Sequence, residues 1–434
     1  MRIAVIGAGI SGLGAAWLLG KEHDVTIFEK QDRIGGHSHT VDVSFNGENT
    51  PVDTGFIVYN ELNYPNLVGL FSHLQVPTKG SEMTFAVSLR DKTLEYEGTL
   101  KGLTAQLSNL FKPRYWSMLN GLRKFYAHAY DYSRDSAPDE TLGEFIERCG
   151  FSDAFVEDHL LPMGAAIWSC PADTMLSFPA RSFIQFMQNH KLMNYIDRPV
   201  WRTVDGGSRE YVTRLLNDFR GQIVTNANIT SIRRDAAGVF ISLPDEGEIF
   251  FDKVIMAAHA DESLALMSDA NEQEKEILSC FGFQPNEVIL HSDETLMPQR
   301  KATWAAWNYL TSSDNNPQLS VTYWMNKLQS IEKDKPLFVT LNPFTRPEES
   351  LTHRVFSYDH PIFDKAAILA QNRLGEIQGQ NHLYFCGAWT KYGFHEDGLS
   401  SAIKVVKSLG VDIPWNSSTS PWHKPNRLTK SMRA

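Results

Sequence analysis

Cysteine is scarce in this 434-residue chain: Cys149, Cys170, Cys280 and Cys386 are the only four, and no two form a CxxC pair. That spacing excludes a zinc ribbon or dithiol centre and suits buried thiols in a reducing compartment. No apolar run approaches the 18 residues or so that a transmembrane helix needs. Met1-Arg2 leads straight into an apolar strand without a signal-peptide hydrophobic stretch, so a cytoplasmic location is expected. Cations are in deficit, 41 Lys and Arg against 51 Asp and Glu for a formal charge of −10, which argues against nucleic-acid binding. Acids, in turn, are missing locally. None occurs from Gly98 to Tyr130, where Lys101, Lys112, Arg114, Arg123 and Lys124 stand among Leu100, Leu103, Leu107, Leu110, Phe111, Trp116, Leu119, Leu122 and Phe125. Spacings of three and four predict a basic amphipathic helix pair broken by Pro113, a candidate surface for peripheral contact with an anionic inner-membrane face. The segment 415–434 also lacks acids and is expected to be a disordered basic tail.

What is present begins at once. Arg2 to Ile6 reads as an apolar strand, followed by Gly7-Ala8-Gly9-Ile10-Ser11-Gly12 and a helix from Leu13 to Gly20. Gly7 permits the tight turn, Gly9 lets the backbone approach a pyrophosphate, and Gly12 lets the helix pack on the strand. The helix N-terminus, Ser11 included, offers N–H groups to the anion. A second strand, Val25 to Phe28, ends on Glu29, placed to accept hydrogen bonds from adenosine ribose hydroxyls. Lys30 follows it. Then comes a further glycine pair in Arg33-Ile34-Gly35-Gly36-His37, which lets the chain fold back beside a pyrophosphate whose charge Arg33 can neutralise.

This order of motifs resembles the FAD-binding start of the flavin amine oxidase, protoporphyrinogen oxidase and phytoene desaturase superfamily. Val52-Asp53-Thr54-Gly55-Phe56 matches its next motif, which the resemblance places near the isoalloxazine ring. A second match lies at the other end. Asn381 to Phe385 reads as a strand leading into Cys386-Gly387-Ala388-Trp389, and His395-Glu396-Asp397-Gly398 opens a helix to Leu409 that the resemblance places against the flavin. Two departures stand out: His37 replaces the usual Arg after the glycine pair, and Ala388 stands where many members carry an acid. Ile229 is implied near the adenine. The resemblance implies noncovalent FAD, since no flavin-linking sequence surrounds Cys386.

The expected fold is α/β, a glutathione-reductase-like FAD domain built from 1–79, 203–265 and 376–414, interleaved with an α+β substrate domain and helical subdomain from 80–202 and 266–375. Ser208 is the expected N-cap of a helix from Arg209 to Phe219. The substrate half is rich in aromatics and amides, and His291, Trp307, Asn308, Tyr323 and Trp389 are the candidate catalytic residues, His291 as a neutral general base. The bacterial branch that the chain resembles is associated with cyclopropane-fatty-acid-synthase-like methyltransferases. That association implies an oxidoreductase acting on a lipid-bound fatty acyl chain or phospholipid, with a lipid methyltransferase as partner. An amine oxidase, tested by a lysine such as Lys301 near the flavin, and a non-catalytic flavin-containing accessory subunit are the alternatives.

Overall fold

The computed structural model describes residues 1–135, 137, 140–168, 172–194, 198–245, 247–312 and 318–415. Its nucleotide-binding half is a five-stranded, wholly parallel sheet in the order Gln222–Val224, Asp24–Phe28, Arg2–Ile6, Lys253–Met256, Leu383–Phe385. The central strands read as continuous apolar runs because helices and loops cover both faces. The helix Ile10–Leu19 is buried along its whole length. It packs between the sheet and the helix His395–Ser408, which is why small residues, Gly14, Ala15 and Ala16, occupy its middle: a Cβ on Gly14 would lie 2.8 Å from Leu399. A three-stranded antiparallel meander, Ser231–Arg234, Val239–Leu243 and Gly247–Phe251, joins this half.

The other half is a seven-stranded sheet in the order Thr352–Pro361, Phe283–His291, Phe338–Leu341, Leu319–Trp324, Trp307–Thr311, Phe85–Leu89, Leu94–Glu97. Neighbours run antiparallel except Trp307–Thr311 and Phe85–Leu89, which are parallel. Register sorts its side chains into two faces. Leu290 pairs with Val339, Tyr323 with Val339 and Trp307 with Tyr323, and all join the largest hydrophobic cluster. The helices Pro113–Arg134, Leu142–Cys149, Leu161–Trp168 and Ala180–Asn189 contribute to that cluster and cover this front face. The back face carries His291, Thr340, Thr322 and Asn308 and is covered by the crossing loop 292–306.

Two local expectations change. Pro113 does divide the helical stretch, as the first residue of Pro113–Arg134, where its missing N–H has no partner to lose, but what precedes it is the short helix Leu100–Leu103 and the 3-10 turn Leu107–Phe111 rather than one amphipathic helix. Ser208 is helical rather than an extended N-cap, and its side chain makes no cap bond. Instead the buried Asp53 carboxylate accepts Ser208 N–H (2.8 Å) and Oγ–H (2.7 Å), and Thr40 Oγ1 accepts the Arg209 N–H (3.0 Å). The helix Arg209–Asp218 is thus started by Asp53 and by Thr40, its partner on the neighbouring strand. The expected tail falls outside the described residues from position 416; Trp415 itself stacks on Trp17, centroids 6.2 Å apart.

Candidate flavin and substrate site

The glycine turn is shaped by clearance. Gly7 has φ +103°, and a Cβ on Gly12 would lie 1.9 Å from the Gly7 carbonyl oxygen, so neither position admits a side chain. A Cβ on Gly9 would meet nothing within 4 Å; the protein leaves that space open. No side chain caps the helix Ile10–Leu19, so its first-turn N–H groups are left for an anion. Glu29, at the end of the second strand, accepts the Ala8 N–H at 2.8 Å and the Gln31 N–H at 3.0 Å. It braces the turn, and each carboxylate oxygen keeps a second lone pair for a ribose hydroxyl. The second glycine pair closes against the first: Gly35 N–H donates to Ala8 O (2.9 Å), and Gly36 (φ +57°) sits so close to Gly9 that a Cβ would be 2.9 Å from its Cα. Arg33 curls over this loop to donate to Ser38 O at 3.3 Å. Gly55 is required because a Cβ there would lie 2.2 Å from His37 O. Ile229 follows a segment tied to Glu29, whose carbonyl accepts the Ala227 N–H at 2.8 Å. Lys30 points outward into an ion pair with Glu262.

Beyond the glycines the site is lined by imidazoles. His37 lies between the rings of Tyr358 and His360, centroids 5.1 and 5.4 Å away, and its buried Nε2 has no partner. Burial, then the neighbouring His360, His259 and His395, hold it neutral, well below the ordinary histidine range. His39 Nδ1 meets Tyr358 OH at 2.8 Å, and Tyr358 OH also meets Thr54 Oγ1 at 2.7 Å. His395 stacks on Phe56 at 3.8 Å, its Nε2 3.0 Å from both Ser38 Oγ and Tyr211 OH. Burial drives His395 down to about 3 and His360 to about 4. An open glycine cradle, uncapped helix N–H groups and the unpartnered His37 nitrogen fit a dinucleotide laid across Gly9 toward His37 and Phe56.

The C-terminal motif closes the same space. Gly398 packs so tightly on Ser11 that a Cβ would lie 2.8 Å from its Oγ, which brings two helix N-termini, each partially positive, to one point. Gly387 N–H donates to Ser401 Oγ at 2.9 Å. Both acids of the motif are occupied by the protein. Asp397 accepts the Phe394 and Tyr392 N–H groups, and burial raises it to about 6. Glu396 accepts Leu67 N–H (2.9 Å) together with the N–H and side-chain amide of Asn66, capping the helix Pro65–His73. Neither side chain stands in for the acid missing at Ala388. Cys386 is a fully buried strand thiol pushed up to about 12 by burial.

The structure separates the five substrate-side candidates. Trp307 and Tyr323 share the front face, rings in edge contact at 4.9 Å, and the buried Trp307 indole nitrogen has no partner. His291 and Asn308 are corrected to structural roles. His291 is fully buried on the back face, its Nδ1 accepting the Asp293 N–H (3.1 Å), which leaves Nε2–H to donate to Thr340 Oγ1 (2.7 Å). Thr340 continues to Thr322 (2.9 Å), which donates to Leu296 O (3.0 Å). Both ring nitrogens are used, so the imidazole has no lone pair free to act as a base. Asn308 bonds Ala305 N, Ala305 O and Thr322 O and pins the crossing loop. Trp389 is corrected likewise: it packs on Phe281 at 4.6 Å, donates to Ala258 O, and lies in the core behind the parallel sheet. Lys301 pairs with Glu294 and is largely exposed.

Sequence reasoning missed the partners of this site. Phe356, Tyr358 and His360 alternate on one strand to face His37 and His39, a period of two that is visible in the sequence on both segments. Phe186, His190, Tyr392 and Phe394 form an aromatic group, with Phe186 5.1 Å from Phe394 and 5.6 Å from Tyr392. Trp168 adds a second buried indole nitrogen without a partner in the same front cluster.

Comparison with known proteins fits this geometry. A Mycobacterium tuberculosis protein named "Putative flavin-containing monoamine oxidase AofH" is 24% identical over 274 residues, 62% of this chain; the match spans only 59% of that relative's length. Among solved structures, a CLA-producing fatty acid isomerase from P. acnes superposes with a TM-score of 0.63 at 17% identity, covering 94% of this chain and 99% of that one. Cyclohexylamine oxidase from Brevibacterium oxydans gives 0.66 at 14% identity, and putrescine oxidase bound to putrescine gives 0.65 at 13%, each with 94% and 99% coverage. At these identities the likeness is one of fold. The model of the flavin containing amine oxidoreductases matches residues 10–409, and the chain belongs to that family.

Proposed function

We propose that the enzyme oxidises an apolar acyl chain, lipid-bound or released from lipid, by removing hydride from a carbon of that chain. The observation carrying this reading is the front face itself: aliphatic strand residues, Trp307, Tyr323 and the helices Leu161–Trp168 and Ala180–Asn189, which bring Trp168, Phe183 and Phe186, make one apolar cluster. No lysine among the described residues is buried, so the water-positioning lysine looked for as the mark of an amine oxidase has no counterpart deep in this half. FAD, when bound, supplies the hydride acceptor. The chain's own residues exclude water, align the alkyl chain and, through the indole N–H groups of Trp168 and Trp307, offer two donors to a polar end of the substrate. The balanced oxidation passes one hydride to the flavin and releases one proton from the neighbouring carbon to solvent, leaving a new carbon–carbon double bond; positive charge develops as hydride leaves, so the carbon best able to react is one beside an existing double bond.

Amine oxidation is the second reading, favoured by the name of the curated relative and by two of the structural neighbours. Anaerobic mixing separates the two. Unsaturated fatty acids and phospholipids should bleach the flavin absorbance and primary amines should not. Bleaching by an amine with none by any acyl substrate overturns the proposal, and bleaching by neither class favours a non-catalytic accessory role.

A further inference from the structure

Polarity is inverted between Thr99 and Trp116. Leu100–Leu103 is a short helix, Leu107–Phe111 a single 3-10 turn, and Pro113 opens the long helix. The amides face inward. Asn109 is fully buried and donates to Glu95 O (3.0 Å), while Gln106 accepts the Glu95 N–H (2.7 Å) and donates to Thr93 O (3.0 Å). The large apolar side chains face outward: Leu100 is 86% exposed, Leu107 68%, Phe111 88% and Trp116 55%. They belong to one surface, because Trp116 Nε1 donates to Leu110 O and Tyr115 OH to Leu103 O. Four of the eleven large exposed hydrophobics among the described residues fall within these eighteen positions. A segment adapted to water alone would turn its amides out and its leucines in.

Charge supplies the second observation. Lys101 is exposed, and Lys112 is held beside the tip by Thr93 O and Asn109 Oδ1. Among the acids of the elements packed against the tip, Glu95 is paired with Arg300, and Glu157 and Asp158 with Arg90 and Arg114, while the buried Glu97 accepts hydrogen bonds from Thr99 without a cationic partner. Lys124, expected on this face, is instead bound to Cys149 O, and Arg114 is neutralised. Lys101 and Lys112 outnumber the one acid without an ion pair, and because Glu97 is buried the exposed charge at the apolar tip is cationic on a protein whose sum is −10.

We propose that this tip docks on an anionic bilayer, with Leu100, Leu107, Phe111 and Trp116 inserting at the head-group boundary and Lys101 and Lys112 meeting lipid phosphates. A second copy of the chain would oppose like charge, as would the basic segment 416–434. The proposal holds whatever substrate the flavin oxidises. Its test uses the flavin-loaded full chain and vesicles of dimyristoyl phosphatidylcholine with or without phosphatidylglycerol, whose saturated chains keep binding separate from turnover. Wild type should float with the anionic vesicles at low salt. L107S/F111S should keep its FAD content and melting temperature, since both positions face solvent, and lose at least about tenfold in partitioning. K101Q should lose about fivefold at low salt and little at high salt. The proposal falls if wild type stays unbound at low salt, if L107S/F111S partitions like wild type, or if wild type is a dimer that L107S/F111S converts to monomer.

Discussion

The two faces of the seven-stranded sheet handle polar groups in opposite ways. On the back, His291, Thr340, Thr322 and Asn308 form a directed chain of hydrogen bonds that ends in the backbone of loop 292–306. On the front, the buried indole nitrogen of Trp307 is left open. A buried polar group that the protein satisfies serves the fold, whereas one that it leaves unsatisfied costs about 1–3 kcal/mol until water or a ligand meets it. The same contrast appears at the glycine turn, where Gly12 is packed against Gly7 and Gly9 faces open space.

The glycine pair offers the largest effect. Gly12→Val should yield no soluble folded protein, because its Cβ collides with backbone. Gly9→Val should fold with a near-normal far-ultraviolet spectrum and carry no FAD, read as absorbance at purification. A folded Gly12→Val, or a yellow Gly9→Val, would break the contrast.

Acid comes next and tests both faces together. Burial holds His39, His159, His190, His291 and His360 near 4 and His395 near 3. In the unfolded chain these groups take protons near about 6.5. Between those values the unfolded state binds more protons, so stability falls as pH falls through that window. Asp53 and Asp397, raised to about 6 by burial, act in the opposite sense but number two against six. The melting temperature should therefore drop steadily from about pH 7 to about pH 5.

Single substitutions then divide the faces. His291→Ala, which strands Thr340 and empties a packed site, should cost about 3 kcal/mol in denaturant melts while leaving the rate of flavin reduction per bound flavin unchanged. Asn308→Leu should cost about 2 kcal/mol in the same assay through the freed loop backbone. Trp307→Phe should change stability by less than about 1 kcal/mol and yet slow anaerobic flavin reduction by about tenfold. A slow His291→Ala with normal stability would return that residue to the chemistry.

The nucleotide half was legible because its geometry admits few residue types. Only glycine tolerates φ +103° at position 7 or the 1.9 Å approach at position 12, so the constraint is written in the chain itself. The half built on the seven-stranded sheet carries no such restriction. Alternation of Val321, Tyr323 and Met325 predicts one strand face; Val321 and Tyr323 share it, but Met325 opens a short helix, and which face His291 joins depends on strand pairing, its strand shifting register between Leu290 and His291. A one-residue difference in register reverses inside and outside. Glu396 and Asp397 were similarly opaque, because their partners at Asn66, Leu67, Tyr392 and Phe394 are fixed by tertiary contact.

One feature of the parallel sheet bears on how the enzyme is made. Its strands come from residues 2–28, 222–256 and 383–385, and Glu396 ties the last helix to Asn66 and Leu67. During synthesis the glycine turn emerges long before the helix His395–Ser408 that covers its own helix. Until then the Lys253–Met256 strand has an open edge where Leu383–Phe385 will pair, a template for pairing with other nascent chains. Capture of flavin should therefore wait until residues 383–408 have emerged, and messages truncated before residue 383 should give aggregates rather than apoenzyme.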